Sequence, residues 1–152
     1  MSITIERCTA IEQSGWLSLR QALWPESSRA EHQSEMVSFL ADPARYVHFI
    51  AYDTSGQAVG LAEASLRSEY VNGTTSSPVA FLEGLYVAPQ ARRQGVASEL
   101  VRAVAGWGLA AGCRELASDA LLDNTLSQTV HDALCFQETE RVVYYRKVLR
   151  EG

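Results

Sequence analysis

The stretch that most constrains this chain is residues 81–111, FLEGLYVAPQARRQGVASELVRAVAGWGLAA. It opens on an apolar, strand-forming run of Phe81, Leu82, Leu85, Tyr86 and Val87 and breaks at Ala88-Pro89. A basic turn follows, Arg92-Arg93-Gln94-Gly95, after which Val96, Leu100, Val101, Val104 and Trp107 recur at three- and four-residue steps. That spacing gives a helix one apolar face. The segment therefore reads as strand, anion-binding turn and helix. The first amides of a helix have no acceptor within it, and the helix dipole leaves partial positive charge there. Gly95 lets backbone come close to a ligand, Ala97 and Ser98 leave room in the first turn, and Arg92 and Arg93 add full charges. The alternative is a solvated connection.

Length and composition bound the rest. At 152 residues, 47% of them hydrophobic, the chain is expected to form a single domain, 1–152, with a real core. Thirteen Lys and Arg stand against 18 Asp and Glu, a net charge of −5 that argues against a nucleic-acid partner and suits a cationic substrate. Cys8, Cys113 and Cys135 are odd in number and lack metal-ligand spacing, which predicts free thiols, no metal and a reducing, cytoplasmic location. No apolar run is long enough to span a bilayer and no signal-peptide pattern opens the chain, so no membrane association is expected.

In chain order, alternation predicts a strand over 2–7, a helix over 11–23 ended by Trp24-Pro25, and a second helix opened by the Ser28/Glu31 capping box and closed near Asp42-Pro43. Strands over 46–52 and 58–66 flank a turn at 53–56, and a polar loop occupies 67–78. The strand entering the basic turn covers 79–87, and its internal Gly84 marks a bulge or a close backbone approach. The helix after the turn stops near Gly112, a short strand covers 115–119, a short helix 124–134, and one or two terminal strands 136–149.

Arg92-x-x-Gly95-x-Ala97, directly after Leu82-Glu83-Gly84-Leu85-Tyr86-Val87, resembles the coenzyme A motif of the GNAT superfamily of N-acetyltransferases. The element order is similar to that family's over nearly the whole chain. The resemblance implies an α+β fold, a mixed, mostly antiparallel sheet flanked by helices, with acetyl-CoA as cosubstrate. It implies that Leu85, Tyr86 and Val87 pair with the pantetheine arm. Arg92, Arg93, Gln94, Gly95, Val96, Ala97 and Ser98 would hold the pyrophosphate.

Several short stretches, Leu23-Trp24-Pro25, Tyr70-Val71-Asn72-Gly73, Ser77-Pro78-Val79, Leu82-Glu83-Gly84, Ala117-Ser118-Asp119 and Glu138-Thr139-Glu140-Arg141, together resemble the aminoglycoside 6'-N-acetyltransferases. This implies a resistance enzyme whose acceptor is held by Trp24, Ser27, Tyr70, Glu83, Asp119 and Glu140. Asp119 and then Glu83 are the candidates to take the amine proton. A backbone N–H from 85–87 would polarise the thioester carbonyl. His131 stands where much of the wider family has a proton-donating tyrosine, with Tyr144 and Tyr145 as alternatives, and Cys135 replaces a usual glycine. Asn124 either bonds the pantetheine region or caps its helix. Other amines, a polyamine, a small metabolite or a protein N-terminus, would suit the same carboxylates, and a non-catalytic coenzyme-binding module is the reading of a different class. The apolar terminal segment predicts a homodimer that covers it.

Overall fold

The computed structural model describes residues 2–150 and 152. The chain divides into two compact units, 1–119 and 120–152, taken here one at a time.

In the first unit, five strands lie in chain order, β1 (Thr4–Arg7), β2 (Tyr46–Tyr52), β3 (Ala58–Arg67), β4 (Val79–Val87) and β5 (Leu116–Ala117). The pairs β1–β2, β2–β3 and β3–β4 are antiparallel and β4–β5 is parallel, so the sheet is mixed and mostly antiparallel, as the resemblance implied. The 53–56 turn closes the β2–β3 hairpin, with Asp53 Oδ1 accepting from the N–H groups of Ser55 and Gln57 at 2.9 and 3.0 Å.

The helices cover both faces. Trp16 and Leu19 of α1 (Trp16–Leu23) and Met36 of α2 (Arg29–Leu40) pack with Ile50, Tyr52 and Leu61 on one face. On the other, Val96, Leu100 and Val104 of α3 (Val96–Ala110) are fully buried, with Val96 and Leu100 closing over Gly60. Each such side chain contributes about 1.5–3 kcal/mol on burial. With helices on both sides, β3 is buried over most of its length, which is why it reads as a nearly continuous run of small and apolar residues. Cys8 and Cys113 are buried in this unit, and all three cysteines are free. Among the described residues no helix is long and apolar enough to cross a membrane.

Two of the boundaries that differ from expectation have a local cause or a large effect. The first helix begins at Trp16 rather than residue 11, because Ile11–Ser14 is taken up by tight turns, Gln13 N–H to the Ala10 carbonyl and Trp16 N–H to that of Gln13. The β5 strand is two residues long rather than five. The Ser28 capping box is present in both directions, Glu31 N–H to Ser28 Oγ at 3.1 Å and Ser28 N–H to Glu31 Oε1 at 2.8 Å.

The second unit contains α4 (Thr125–Ala133), with Asn124 as its cap: Oδ1 accepts from the Ser127 N–H at 3.1 Å. The helix stops at Cys135, held at φ 67°, while the Phe136 N–H reaches back to the His131 carbonyl at 3.0 Å. That left-handed stop is the conformation glycine takes without strain, so a glycine there would be the ordinary choice.

The expected terminal strands over 136–149 are not formed. Val142, Val143, Tyr144, Tyr145, Val148 and Leu149 are strand-forming, but a strand also needs a ladder partner, and the described residues of this unit include no other strand. Tyr145 is 91% exposed and Leu149 89%.

Candidate active site

The site grows from the last turn of α1 and the middle of β3 and β4. Trp16 and Arg20 are one helical turn apart on the same face of α1 and meet Glu63 at the centre of β3. Trp16 Nε1 donates to Glu63 Oε2 at 3.0 Å, and Arg20 Nη1 donates to Oε1. His48, facing from β2, brings Nδ1 to 3.2 Å from Oε2, within ion-pair reach but off the line of a hydrogen bond, so both its ring nitrogens are buried without one. Glu63 is 3% exposed. Burial pushes its carboxyl up, but His48 and Arg20 outweigh that effect, and the net direction is downward from the usual glutamate range. The same carboxylate contributes, after burial itself, to raising the Cys8 thiol well above its usual range, which leaves Cys8 inert.

Arg20 also reaches Glu35 at 3.2 Å through Nη2 and donates from Nε to His32 Nδ1 at 3.2 Å. His32 is thereby a neutral imidazole carrying its proton on Nε2, which lies 3.1 Å from the Trp24 carbonyl, an acceptor only. These residues surround a cavity of about 380 Å³ whose wall includes Trp24, Ser27, Glu35, Glu63 and Glu83.

Glu83 owes its position to a bulge. In the β3–β4 ladder Glu63 pairs with Gly84 and Ala64 with Leu82, so Glu83 is the extra residue and turns to the cavity. Both of its oxygens accept from Arg67 Nη2, at 3.0 and 2.9 Å, and Oε2 also takes the Ser65 hydroxyl at 2.6 Å. The adjacent Gly84 is the close approach: a Cβ there would stand 2.5 Å from Trp24 Cη2.

The sheet opens beside this point. The β4–β5 pairing ends at Phe81–Ala117, so from Leu82 onward the edge of β4 away from β3 has no partner strand among the described residues. Ala88 donates its N–H to Val59, and backbone direction alternates along a strand, so the N–H groups of Leu85 and Val87 face the open edge. That of Tyr86 faces β3, and its ring packs on the core. The Val87 carbonyl, on the open edge, accepts from Arg92 Nε at 2.9 Å. Asp119, exposed, lies two residues beyond the last β5 rung, as Glu83 lies two beyond the matching rung of β4.

A single 3-10 turn, Pro89–Ala91, carries β4 into the basic turn. Arg93 takes φ 62° and Gly95 φ 82°, and no side chain caps the start of α3. The first amides of a 15-residue helix thus meet an exposed loop carrying Arg92, Arg93 and Gln94. This is a fit for a phosphate group, and the open β4 edge is a fit for an extended amide-bearing arm.

With that geometry, the comparisons with known proteins are decisive. Residues 16–135 match the acetyltransferase (GNAT) family. The chain belongs to the GNAT acetyltransferase family. It is 51% identical over 142 residues to an aminoglycoside N(6')-acetyltransferase type 1 of Serratia marcescens, covering 93% of this chain and 97% of the relative. The protein of that name from Acinetobacter genomosp. 13 is 52% identical over 132 residues, or 87% and 89% of the two chains. Among solved structures, AAC(6')-Ih from Acinetobacter baumannii superposes with a TM-score of 0.91 at 45% identity, covering 98% and 100%. AAC(6')-Iy in complex with the bisubstrate analogue CoA-S-monomethyl-acetylneamine gives 0.90 at 44%, covering 97% and 99%.

The cavity gathers three of the expected acceptor residues of this GNAT chain, Trp24, Ser27 and Glu83. Tyr70, 73% exposed in the 68–78 loop, and Asp119 are not in its wall. Asn124, His131 and Glu140 belong to the second unit. There His131 Nδ1 donates to the Ser127 carbonyl at 2.7 Å, and Glu140 is exposed. Unforeseen were Arg20, His32, Glu35, His48 and Glu63. The signal for one of them was present: Glu63 is the single charge within the apolar run 58–66, and a carboxylate there must find buried partners.

Proposed function

We propose that this chain transfers the acetyl group of acetyl-CoA to the 6'-amine of aminoglycosides and so confers resistance to them. What carries the reading is identity near one half, over nearly the full length of both chains, to relatives that bear that activity in their names. The geometry supports it. A polycation rich in hydroxyls needs carboxylates and flat faces, and the cavity offers Glu35 and Glu83 with Trp24.

Acetyl-CoA supplies the thioester that is attacked; the chain's residues hold and orient. The Leu85 and Val87 N–H groups stand on the open edge for amide pairing and for an oxyanion, and the turn from Arg92 to Ser98 takes the pyrophosphate. Asp119 draws in the 6'-ammonium and takes its proton, with Glu83 second; the freed amine attacks the thioester carbonyl, the C–S bond breaks as the C–N bond forms, and CoA leaves as the thiolate, which takes up a proton. Transfer is direct, since Cys8 and Cys113 are buried and no cysteine stands in the cavity wall.

The test is CoA release from acetyl-CoA with a pair of aminoglycosides, one with a 6'-amine and one with a 6'-hydroxyl. Release with the amine alone is expected. Release with neither, despite acetyl-CoA binding, sinks the reading in favour of another amine or of a coenzyme-binding module.

Within the same reading the protein is cytoplasmic, where its free thiols persist, and a homodimer. The exposed apolar side chains of 142–149 are the surface a second copy covers. Light scattering at micromolar concentration should give twice the 16.7 kDa chain mass; monomer alone rejects the dimer.

A further inference from the structure

We propose that Arg20 is a positioning residue for acceptor recognition, holding the Trp24 indole in place as a wall of the cavity. The inference rests on reading that cavity as the acceptor site. Arg20 lines the cavity but is 2% exposed, so it offers a ligand almost no surface of its own. It acts on Trp24 along two routes. Its guanidinium carbon lies 4.9 Å from the centroid of the Trp24 ring, a cation–π contact in a desolvated setting. Its Nε fixes His32, which in turn holds the Trp24 carbonyl. The ring therefore has a cation on its face and a backbone tether at its root, while Gly84 leaves the space its edge fills.

Trp24 is the residue immediately after α1, where a helix end ordinarily frays, and it precedes Pro25. A large ring at such a place keeps one orientation only if something outside the helix fixes it. For stability alone a buried ion pair is a poor choice, because apolar side chains of like volume do as well or better. What Arg20 adds is direction: its fork meets Glu63 and Glu35, which sets the guanidinium plane between the Trp24 ring and the Phe39 ring, 5.5 Å from the centroid of the latter.

The test is a double-mutant cycle on steady-state kinetics with a 6'-amine aminoglycoside, using Arg20→Met, Trp24→Ala and the pair. Arg20→Met should raise the acceptor KM about tenfold, with kcat within about threefold and the acetyl-CoA KM unchanged. In the Trp24→Ala background the same change should move the acceptor KM by less than about twofold. A purely structural role would lower the folded, active fraction and leave KM alone. An equal KM rise in both backgrounds, or an unchanged KM in folded Arg20→Met, overturns the proposal. If Arg20→Met does not fold, Gly84→Ala displaces the ring from its other side with every charge intact, and its KM effect must likewise vanish without Trp24. Wild-type enzyme that binds acetyl-CoA but acetylates no 6'-amine drug removes the acceptor reading and this proposal together; turnover with an additive cycle removes the positioning role alone.

Discussion

Replacing Glu63 with alanine should cost about 3–5 kcal/mol, read as a fall in the denaturant midpoint. The loss is large because the partners stay behind. Arg20, 2% exposed, would keep a charge with only the half-exposed Glu35 to balance it, and the buried Trp16 N–H would lose its acceptor. Glu63→Gln keeps the shape and one acceptor oxygen and should cost less. The ordering of the two variants separates charge from packing, and equal stability of Glu63→Ala and wild type would show that the network contributes nothing. The pH dependence follows from direction. Folding lowers the Glu63 pKa, so the unfolded chain binds the proton more readily, and the stabilisation is fully present above the ordinary value of 4.5. As pH falls below that value toward the folded pKa, the stabilisation is lost. The difference between wild type and Glu63→Ala should therefore be flat near neutrality and shrink in acid, which denaturation at stepped pH would show.

Asp119→Asn should lower kcat by about 10²–10⁴ while acetyl-CoA binding, followed by calorimetry, is retained. Asparagine keeps the size and the hydrogen-bonding ability of the side chain but can neither balance an ammonium nor take its proton. Glu83→Gln should cost less, since Glu83 already gives both oxygens to Arg67 and one to Ser65. A wild-type rate in Asp119→Asn would remove Asp119 from the chemistry, and a fall in acetyl-CoA affinity of the same size would reassign it to the cosubstrate.

How much of this was legible depends on the range of the interaction involved. The strand–turn–helix of β4 and α3 could be read because periodicity, the Pro89 break and Gly95 act within a few residues of each other. The Ser28/Glu31 cap was legible for the same reason. Arg20, Glu63 and His48 were not, because each alone is an ordinary polar residue and only the packing of α1 on β2 and β3 makes them a network. Trp24 was named as an acceptor contact, but what holds it could not be. The bulge was expected around Gly84; the ladder places the extra residue at Glu83, and gives Gly84 the other role that an internal glycine suggests. The 136–149 stretch failed as a strand for the complementary reason: β-propensity is local, whereas a ladder partner is not.

The open edge of β4 bears on how such a site changes over generations. Its donors at Leu85 and Val87 are peptide groups, and every residue except proline supplies the same one. Exchanging the side chains of 82–87 retunes the surroundings without removing the donors. The pocket proposed for the acceptor, in contrast, is written in side chains such as Trp24 and Glu83, each deletable by a single codon change. If the β4 edge holds the acetyl donor and the cavity the acceptor, as proposed, one half of the site is insensitive to drift and the other free to vary, so a lineage built on this frame can shift which amine it acetylates while its acetyl donor stays the same.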